Sequence, residues 1–207
     1  MYLSKVYLNL KSKEARRDLS DPYQMHSTLC RLFSPPEIKN SPGTFLWRLE
    51  PEQNSGGRPK IIIQSKKIPD WSMINLPDWF GAPPEKSLNL TEKLKIKTQG
   101  KYRYRLRANT SVRRSGKRLG LFKAEEQINW LNKQGEKRGF KPVTIYRSEE
   151  KMLTGNIRRC DPIRIFSVLF DGILIVLDTK IFLKTIMEGI GHGKTMGLGL
   201  LSIAPVE

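Results

Sequence analysis

The order in which hydrophobic patterns follow one another is the feature that most constrains the fold of this chain. Alternating apolar residues predict a strand over residues 2–10, and apolar residues at helical spacing predict a helix over 22–33. Further alternating stretches between residues 45 and 65 predict a strand pair, followed by a weaker helix and strand. The second half of the chain repeats this order. The sequence therefore predicts an α+β chain with tandem ferredoxin-like βαββαβ domains over residues 1–95 and 96–207.

The predicted elements of the second half surround a strong turn signal. An apolar run between residues 163 and 178 is interrupted by Asp171-Gly172, which is typical of a two-residue hairpin turn. The sequence therefore predicts two strands, 163–170 and 173–178, joined by a turn at these residues. The other predicted elements are a strand over 94–108, a helix near 124–137, a strand over 143–147, a helix over 179–188 and a strand over 200–204.

The chain carries far more positive charge than solubility requires. It has 37 lysines and arginines against 20 aspartates and glutamates, which gives a formal net charge of +17. Such an excess predicts a polyanionic partner. The longest apolar run, residues 166–177, is about half as long as a membrane span and is interrupted by two of its residues, which argues against a transmembrane helix. The first ten residues lack the pattern of a secretory signal, so we expect a cytoplasmic protein without a membrane partner.

The motifs that could hold a cofactor are incomplete in this sequence. Two cysteines and two histidines give no recognisable zinc spacing. Residues 189–199, called the glycine-rich loop here, hold five glycines, but a P-loop would need a further glycine where Glu188 stands. We therefore expect no cofactor. The glycine-rich loop either brings backbone N–H groups and Lys194 close to a phosphate or forms a tight structural turn.

Positive charge is concentrated in residues 93–124, called the basic segment here. It contains twelve lysines and arginines and no acidic residue, whereas a solvated charged surface usually mixes both signs. Arg103, Arg105 and Arg107 alternate along it, so we expect them on one face of a strand, a spacing suited to a nucleic-acid backbone. The candidate RNA-binding residues of the whole chain are Arg31, Lys101, Arg103, Arg105, Arg107, Arg113, Arg114, Lys117, Arg118, Arg158, Arg159, Arg164 and Lys194.

The predicted helix over residues 22–33 has one face suited to acid–base chemistry. Its apolar face holds Met25, Thr28, Leu29 and Leu32, and its other face holds Tyr23, His26, Ser27, Cys30 and Arg31. Tyr23 and His26 are three residues apart and are therefore neighbours on the helix. RNA can be cleaved without a metal when its 2′-hydroxyl attacks the adjacent phosphate, a reaction that needs proton transfers and a cation. Tyr23 and His26 are therefore the candidate catalytic residues, and His192 in the glycine-rich loop is the competing histidine.

Several stretches of the chain resemble one known family. They are MYLSKVYLNL at the start, DPYQMHSTLCRLF in the first predicted helix, YRLRAN in the basic segment, AEEQINWL, and the ending GIGHGKTMGLGLLSIAP. Together they resemble the CasE family, the CRISPR repeat-RNA endoribonuclease of type I-E Cascade. The resemblance extends over nearly the whole chain, and the glycine-rich ending is the most specific part of it.

The resemblance implies a fold, an activity and a set of site residues. It implies tandem ferredoxin-like domains and metal-independent cleavage of precursor CRISPR RNA at the 3′ base of a repeat hairpin, with a 5′-hydroxyl and a 2′,3′-cyclic or 3′-phosphate as product ends. The protein would then stay bound as a Cascade subunit. The implied catalytic residues are Tyr23 and His26, with a cation from Arg158, Arg159 or Arg164 near the cleaved phosphate. The alternative is a non-catalytic RNA-binding scaffold subunit of the same fold.

Overall fold

The computed structural model of the chain describes residues 1–33, 45–51, 57–157 and 160–206. The chain divides into two compact units. Unit 1 comprises Met1–Leu94, Leu153–Arg164 and Thr195–Gly197, and unit 2 comprises Lys95–Met152, Ile165–Lys194 and Leu198–Glu207. Each unit is thus built from three stretches of chain. The division into domains 1–95 and 96–207 stays a prediction.

The first sheet is antiparallel and has four strands in the order β2-β3-β1-β4. Its strands are β1 (Tyr2–Tyr7), β2 (Phe45–Leu49), β3 (Lys60–Ser65) and β4 (Leu88–Asn89). The helices of this part are α1 (Lys13–Ser20), α2 (Pro22–Cys30) and α3 (Leu90–Lys93), with a 3₁₀ turn over Trp71–Met73. The predicted strand pair is confirmed, because Phe45 pairs with Ser65 and Leu49 with Ile61. The predicted helix over 22–33 is one turn shorter in the structure.

The core of unit 1 lies between this sheet and its helices. Val6 and Ile61 on the sheet and Leu29 on α2 are almost fully buried, as the alternating and helical patterns require. Trp79 is also buried and donates its indole N–H to the Asp18 carboxylate on α1, at 2.9 Å. Helix α1 was not predicted, because its sequence KEARRDLS has no continuous apolar stripe and turns mainly Ala15 and Asp18 inward.

The second sheet repeats the topology, in the order β10-β5-β9-β8. Its strands are β5 (Lys101–Ala108), β8 (Phe140–Gly155), β9 (Ile163–Val176) and β10 (Leu201–Pro205). The helices α4 (Ala124–Lys137) and α5 (Thr179–Glu188) and a two-stranded ribbon of β6 (Ser111–Arg114) and β7 (Lys117–Gly120) complete this part. In both sheets the first strand lies between the fourth and the third, with the second strand at the edge, which is the ferredoxin-like order. The predicted α+β fold with tandem ferredoxin-like domains is therefore confirmed.

The predicted hairpin turn at Asp171-Gly172 is wrong. Strand β9 continues through both residues, with Asp171 opposite Arg105 and Gly172 opposite Tyr104 on β5. The physical reason is a close approach from β8: a Cβ atom at position 172 would lie 2.0 Å from the carbonyl oxygen of Thr144. Glycine is needed here because a neighbouring strand leaves no room for a side chain.

Several predicted boundaries also differ from those in the structure. Strand β5 begins at Lys101 rather than near residue 94, because a turn in which Gln99 has positive φ comes directly before it. Strand β8 extends well beyond the predicted 143–147. No helix in the described part of the chain is long and apolar enough to cross a membrane.

Candidate functional site

Helix α2 starts at an aspartate cap. Asp21 precedes Pro22, the first helical residue, and its Oδ1 accepts hydrogen bonds from the backbone N–H groups of Tyr23 (2.9 Å) and Gln24 (3.3 Å). The predicted apolar face is confirmed, since Met25, Thr28, Leu29 and Leu32 are all buried. Tyr23 and His26 are both half-buried. The burial of the opposite face therefore fixes the side of α2 on which these two candidates lie.

His26 is held in an apolar environment. Its ring stacks on that of Phe45 in β2, with 5.1 Å between the ring centroids and 28° between the planes. Its Nδ1 atom is buried and has no hydrogen-bond partner among the residues that the structure describes. Burial lowers the pKa of His26 from 6.5 to about 4, because the charged imidazolium loses solvation. The imidazole is therefore neutral at pH 7 and can accept a proton.

Tyr23 lies beside a glycine that the sequence analysis did not select, and the same glycine also packs against a methionine. Gly155 ends strand β8, and a Cβ atom there would lie 3.0 Å from the Cβ of Tyr23 and 2.8 Å from Sδ of Met196. Met196, in the glycine-rich loop, is itself buried. Gly155 thus allows the end of β8 to pack closely against both Tyr23 and Met196. A lone glycine at a strand end gives no such signal in the sequence.

A second link joins the residue after Gly155 to the start of α2. The backbone N–H and the side-chain Nδ2 of Asn156 each donate to Oδ2 of Asp21 at 3.0 Å. Gln24 adds a longer contact of 3.5 Å, from its Nε2 to the Asn156 carbonyl oxygen. Sequence reasoning missed Asn156, since its partner is 135 residues away along the chain.

The stretch after Asn156 includes the predicted second-domain cations. Arg164 is exposed at the start of β9. Arg158 and Arg159 lie outside the described residues, so their predicted role stays a prediction.

The alternating arginines of β5 are less available than predicted. Arg103 is exposed, but Arg105 forms an ion pair with Asp171 at 2.7 Å, and Arg107 is 4% exposed and forms an ion pair with Glu149. The physical reason is that the basic segment contains no acidic residue of its own, but the neighbouring strands β8 and β9 place carboxylates beside it. Phosphate binding by Arg105 and Arg107 stays a prediction. A phosphate would have to compete with the carboxylate that each of these arginines already binds.

The β6–β7 ribbon concentrates positive charge without compensation. Arg113 lies opposite Arg118 and Arg114 opposite Lys117, and all four are exposed. None of them forms an ion pair with a described residue, although like charges directly opposite one another destabilise a strand pair. Ser115 and Gly116 both have positive φ, so they form the tight turn that holds the two strands together. The ribbon therefore presents a dense cationic surface, and a bound polyanion would reduce the repulsion between its like charges.

The glycine-rich loop carries further cations. His192 and Lys194 are exposed on it, and at the end of α2 Arg31 is exposed as well. Partial burial lowers the pKa of His192, and the positive charges of Arg118 and Lys194 lower it further. His192 therefore belongs to a cationic group with Arg118 and Lys194. Among the described residues, no three His, Cys, Asp or Glu side chains come together as a metal site.

Comparison with known proteins identifies the family of this chain. Residues 1–205 match the family described as CRISPR associated protein. The chain is 34% identical to the CRISPR-associated endoribonuclease Cse3 of Thermus thermophilus, over 99% of this chain and 100% of that protein. It is 28% identical to the CRISPR system Cascade subunit CasE of Escherichia coli, over 100% of both.

A solved structure shows the same similarity in three dimensions. Thermus thermophilus Cse3 bound to an RNA representing a pre-cleavage complex matches with a TM-score of 0.85 and 35% identity, over 99% of this chain and 98% of that one. Both the sequence and the fold are therefore similar over essentially the full length. The chain belongs to the family of CRISPR associated proteins that includes Cse3 and CasE.

Proposed function

We propose that this protein is a metal-independent endoribonuclease that cleaves precursor CRISPR RNA at the 3′ base of the repeat hairpin, in the cytoplasm. The observation that carries the proposal is the placement on α2 of Tyr23 and of a His26 whose imidazole is neutral at pH 7. The similarity to Cse3, which is named an endoribonuclease and has been solved with bound RNA, supports the same activity here.

His26 acts as the general base in this proposal. The neutral imidazole takes the proton of the 2′-hydroxyl, while that oxygen attacks the adjacent phosphorus. A histidine whose pKa is about 4 is a weak base, but essentially all of it is in the proton-accepting form at pH 7. Contact with an RNA phosphate would raise this pKa toward neutrality and strengthen the base when substrate is bound.

Tyr23 acts as the general acid. Its phenol donates a proton to the 5′-oxygen as the bond from phosphorus to that oxygen breaks. The products are a 2′,3′-cyclic phosphate, which can open to a 3′-phosphate, and a 5′-hydroxyl. The proton held by His26 then returns to the Tyr23 oxygen through solvent, which restores both groups. A cation from Arg164, Arg158 or Arg159 stabilises the charge that develops on the phosphorane.

RNA binding rests on the exposed cations of the β6–β7 ribbon, of Arg103 and of the glycine-rich loop. These side chains are suited to the phosphates of a hairpin stem, because A-form RNA hides its base edges in a deep, narrow major groove. Retention of the cleaved hairpin follows from the same contacts, since cleavage at its base leaves the stem phosphates intact. The similarity to the Cascade subunit CasE supports association with other Cascade subunits.

Cleavage of a repeat hairpin in EDTA tests the proposal. We expect the wild-type protein to cut it and to leave a 2′,3′-cyclic phosphate. A hairpin with a single 2′-deoxy nucleotide 5′ of the cut should bind but stay uncut, because the attacking oxygen is missing. Binding without any cleavage would favour the scaffold alternative, and cleavage of the deoxy hairpin would mean that an activated water attacks instead.

A further inference from the structure

The Asp21 carboxylate does more than cap helix α2. Oδ1 accepts from the N–H groups of Tyr23 and Gln24, and Oδ2 accepts from both the backbone and the side-chain amide of Asn156. Asp21 is only 6% exposed, and these four N–H donors compensate for its burial. One carboxylate thus joins the first turn of α2 to the residue that follows β8.

Capping alone does not require this arrangement. A serine, threonine or asparagine provides the one oxygen that an N-cap needs. Helix α5 gives an internal comparison: its cap, Asp178, accepts from the Ile181 N–H at 2.9 Å and makes no second link of this kind in the described residues. The second oxygen of Asp21 therefore has a separate role, which is to hold Asn156.

The last residue of β8 and the residue that follows it are both fixed to the turn that bears Tyr23. Asn156 binds Asp21 and approaches Gln24, while Gly155 packs against the Cβ of Tyr23. The same stretch of unit 1, Leu153–Arg164, contains the exposed Arg164. Asp21 and Asn156 thus connect the turn of α2 that bears Tyr23 with the segment Leu153–Arg164.

We propose that Asp21 and Asn156 are a pair of positioning residues for RNA cleavage. The inference rests on the proposed endoribonuclease function. Neither residue transfers a proton or binds the phosphate. Together they hold Tyr23 and the segment after β8 in the relative placement that proton transfer and phosphate stabilisation require. A displacement of about 1 Å in such a site can slow a reaction by about 100-fold, while ground-state RNA binding through the cations of the ribbon is left almost unchanged.

The test uses three single variants of the full chain. Asp21→Ser keeps a capping oxygen but loses the oxygen that binds Asn156, and Asn156→Ala removes the side-chain amide alone. Asp178→Ser is the matched control, because it makes the same change at the cap of α5. Three quantities are measured for each: the single-turnover cleavage rate at saturating enzyme, the Kd for a 2′-deoxy repeat hairpin, and the Tm.

We expect Asp21→Ser and Asn156→Ala to slow cleavage by about 10- to 100-fold, with Kd within about threefold of the wild type. Their Tm should differ little from that of Asp178→Ser, which should cleave at the wild-type rate. The double variant Asp21→Ser with Asn156→Ala should be no slower than the slower single variant, because both changes break the same link.

The contrary results are equally specific. If Asn156→Ala and Asp21→Ser both cleave within about twofold of the wild type, the pair does not position the site. The same holds if rate, affinity and Tm fall together, because the pair would then be structural only. Should Asp21→Ser fail to fold, Asn156→Asp replaces it, since a carboxylate facing Asp21 breaks the link without touching the cap. A wild-type protein that does not cut its hairpin overturns the proposed function and this inference with it, whereas wild-type cleavage with unaffected variants overturns the inference alone.

Discussion

His26 lies face to face with Phe45, so a residue of the candidate site is also part of the packing of α2 against β2. This contact couples the charge of His26 to the stability of the fold. The folded state holds the pKa near 4, below the ordinary value of 6.5 that the unfolded chain has. Between these two pH values the unfolded chain binds more protons at His26 than the folded chain does. The stability that neutral His26 contributes to the fold is therefore complete above pH 6.5 and is lost as the pH falls toward 4.

The first prediction is that this loss disappears in His26→Phe, because phenylalanine keeps an aromatic ring on Phe45 but cannot be protonated. A tenfold change in proton affinity is worth about 1.4 kcal/mol. Between pH 6.5 and pH 4 the free energy of unfolding of the wild type should therefore fall by roughly 3 kcal/mol more than that of the variant. Denaturant unfolding at several pH values between 4 and 7.5 measures the difference. His192→Phe is the control and should keep most of the wild-type pH dependence. An identical pH dependence in wild type and His26→Phe would show that His26 is not buried as described.

The second prediction concerns the pH dependence of cleavage. If neutral His26 is the base, kcat/KM should change little between about pH 6 and 8 and should fall below about pH 5, as the imidazole of the free enzyme becomes protonated. Initial rates with the repeat hairpin over this range provide the measurement. A rate that falls as the pH rises from 6 to 8 would instead make His26 the acid and exchange its role with that of Tyr23.

The third prediction separates the two histidines. His26→Ala should slow cleavage by about 10² to 10⁴ and leave hairpin affinity within several fold, because a proton-transfer group contributes little to ground-state binding. Tyr23→Phe should have a smaller effect, since only the hydroxyl is lost. His192→Ala is the control and should cleave at nearly the wild-type rate. Full activity in His26→Ala together with loss in His192→Ala would move the reaction to the glycine-rich loop.

The fourth prediction concerns the origin of RNA affinity. Replacing Arg113, Arg114, Lys117 and Arg118 with alanine should weaken hairpin binding by orders of magnitude. It should also flatten the slope of log K against log salt by a little under one unit, approximately, for each lost phosphate contact. The free ribbon should become no less stable, because two like-charged pairs are removed.

Arg105→Ala and Arg107→Ala are the comparison for this prediction. Because each removes one partner of an ion pair, we expect a lower Tm and a smaller change in salt slope than in the ribbon variant. Titrations of labelled 2′-deoxy hairpin at several salt concentrations measure both effects. If the salt slope instead depends mainly on Arg105 and Arg107, the RNA follows β5 rather than the ribbon.

The features that sequence reasoning found correctly depend on neighbours along the chain. Helices α4 and α5 were predicted at their observed positions, because spacing of apolar residues within one helix is a local signal. The apolar face of α2 was predicted for the same reason. The ferredoxin-like fold followed from the order of such local elements.

The features that were missed depend on contacts between distant parts of the chain. Gly172 looks like a turn residue until Thr144 on β8 is placed beside it. Arg107 looks available for phosphate until Glu149 is known to be its partner. Asn156 carries no signal of its own, since its meaning depends entirely on Asp21. The charge state of His26 likewise depends on its burial, which no helical pattern reveals.

Because unit 1 is built from three separate stretches of the chain, it cannot be completed until late in synthesis on the ribosome. Trp47 packs against Gly197 so closely that a Cβ atom at position 197 would lie 2.9 Å from the Trp47 ring. Asp21 likewise binds Asn156, which is synthesised much later. At about 5 to 20 residues per second, the chain between residues 94 and 197 takes about 5 to 20 s to synthesise. During that time unit 1 lacks the contacts that residues 195–197 make. The packing of Met196 against Gly155, beside Tyr23, can therefore form only when translation is almost over. A chain truncated between residues 124 and 155 would carry the basic segment but would lack these contacts around α2.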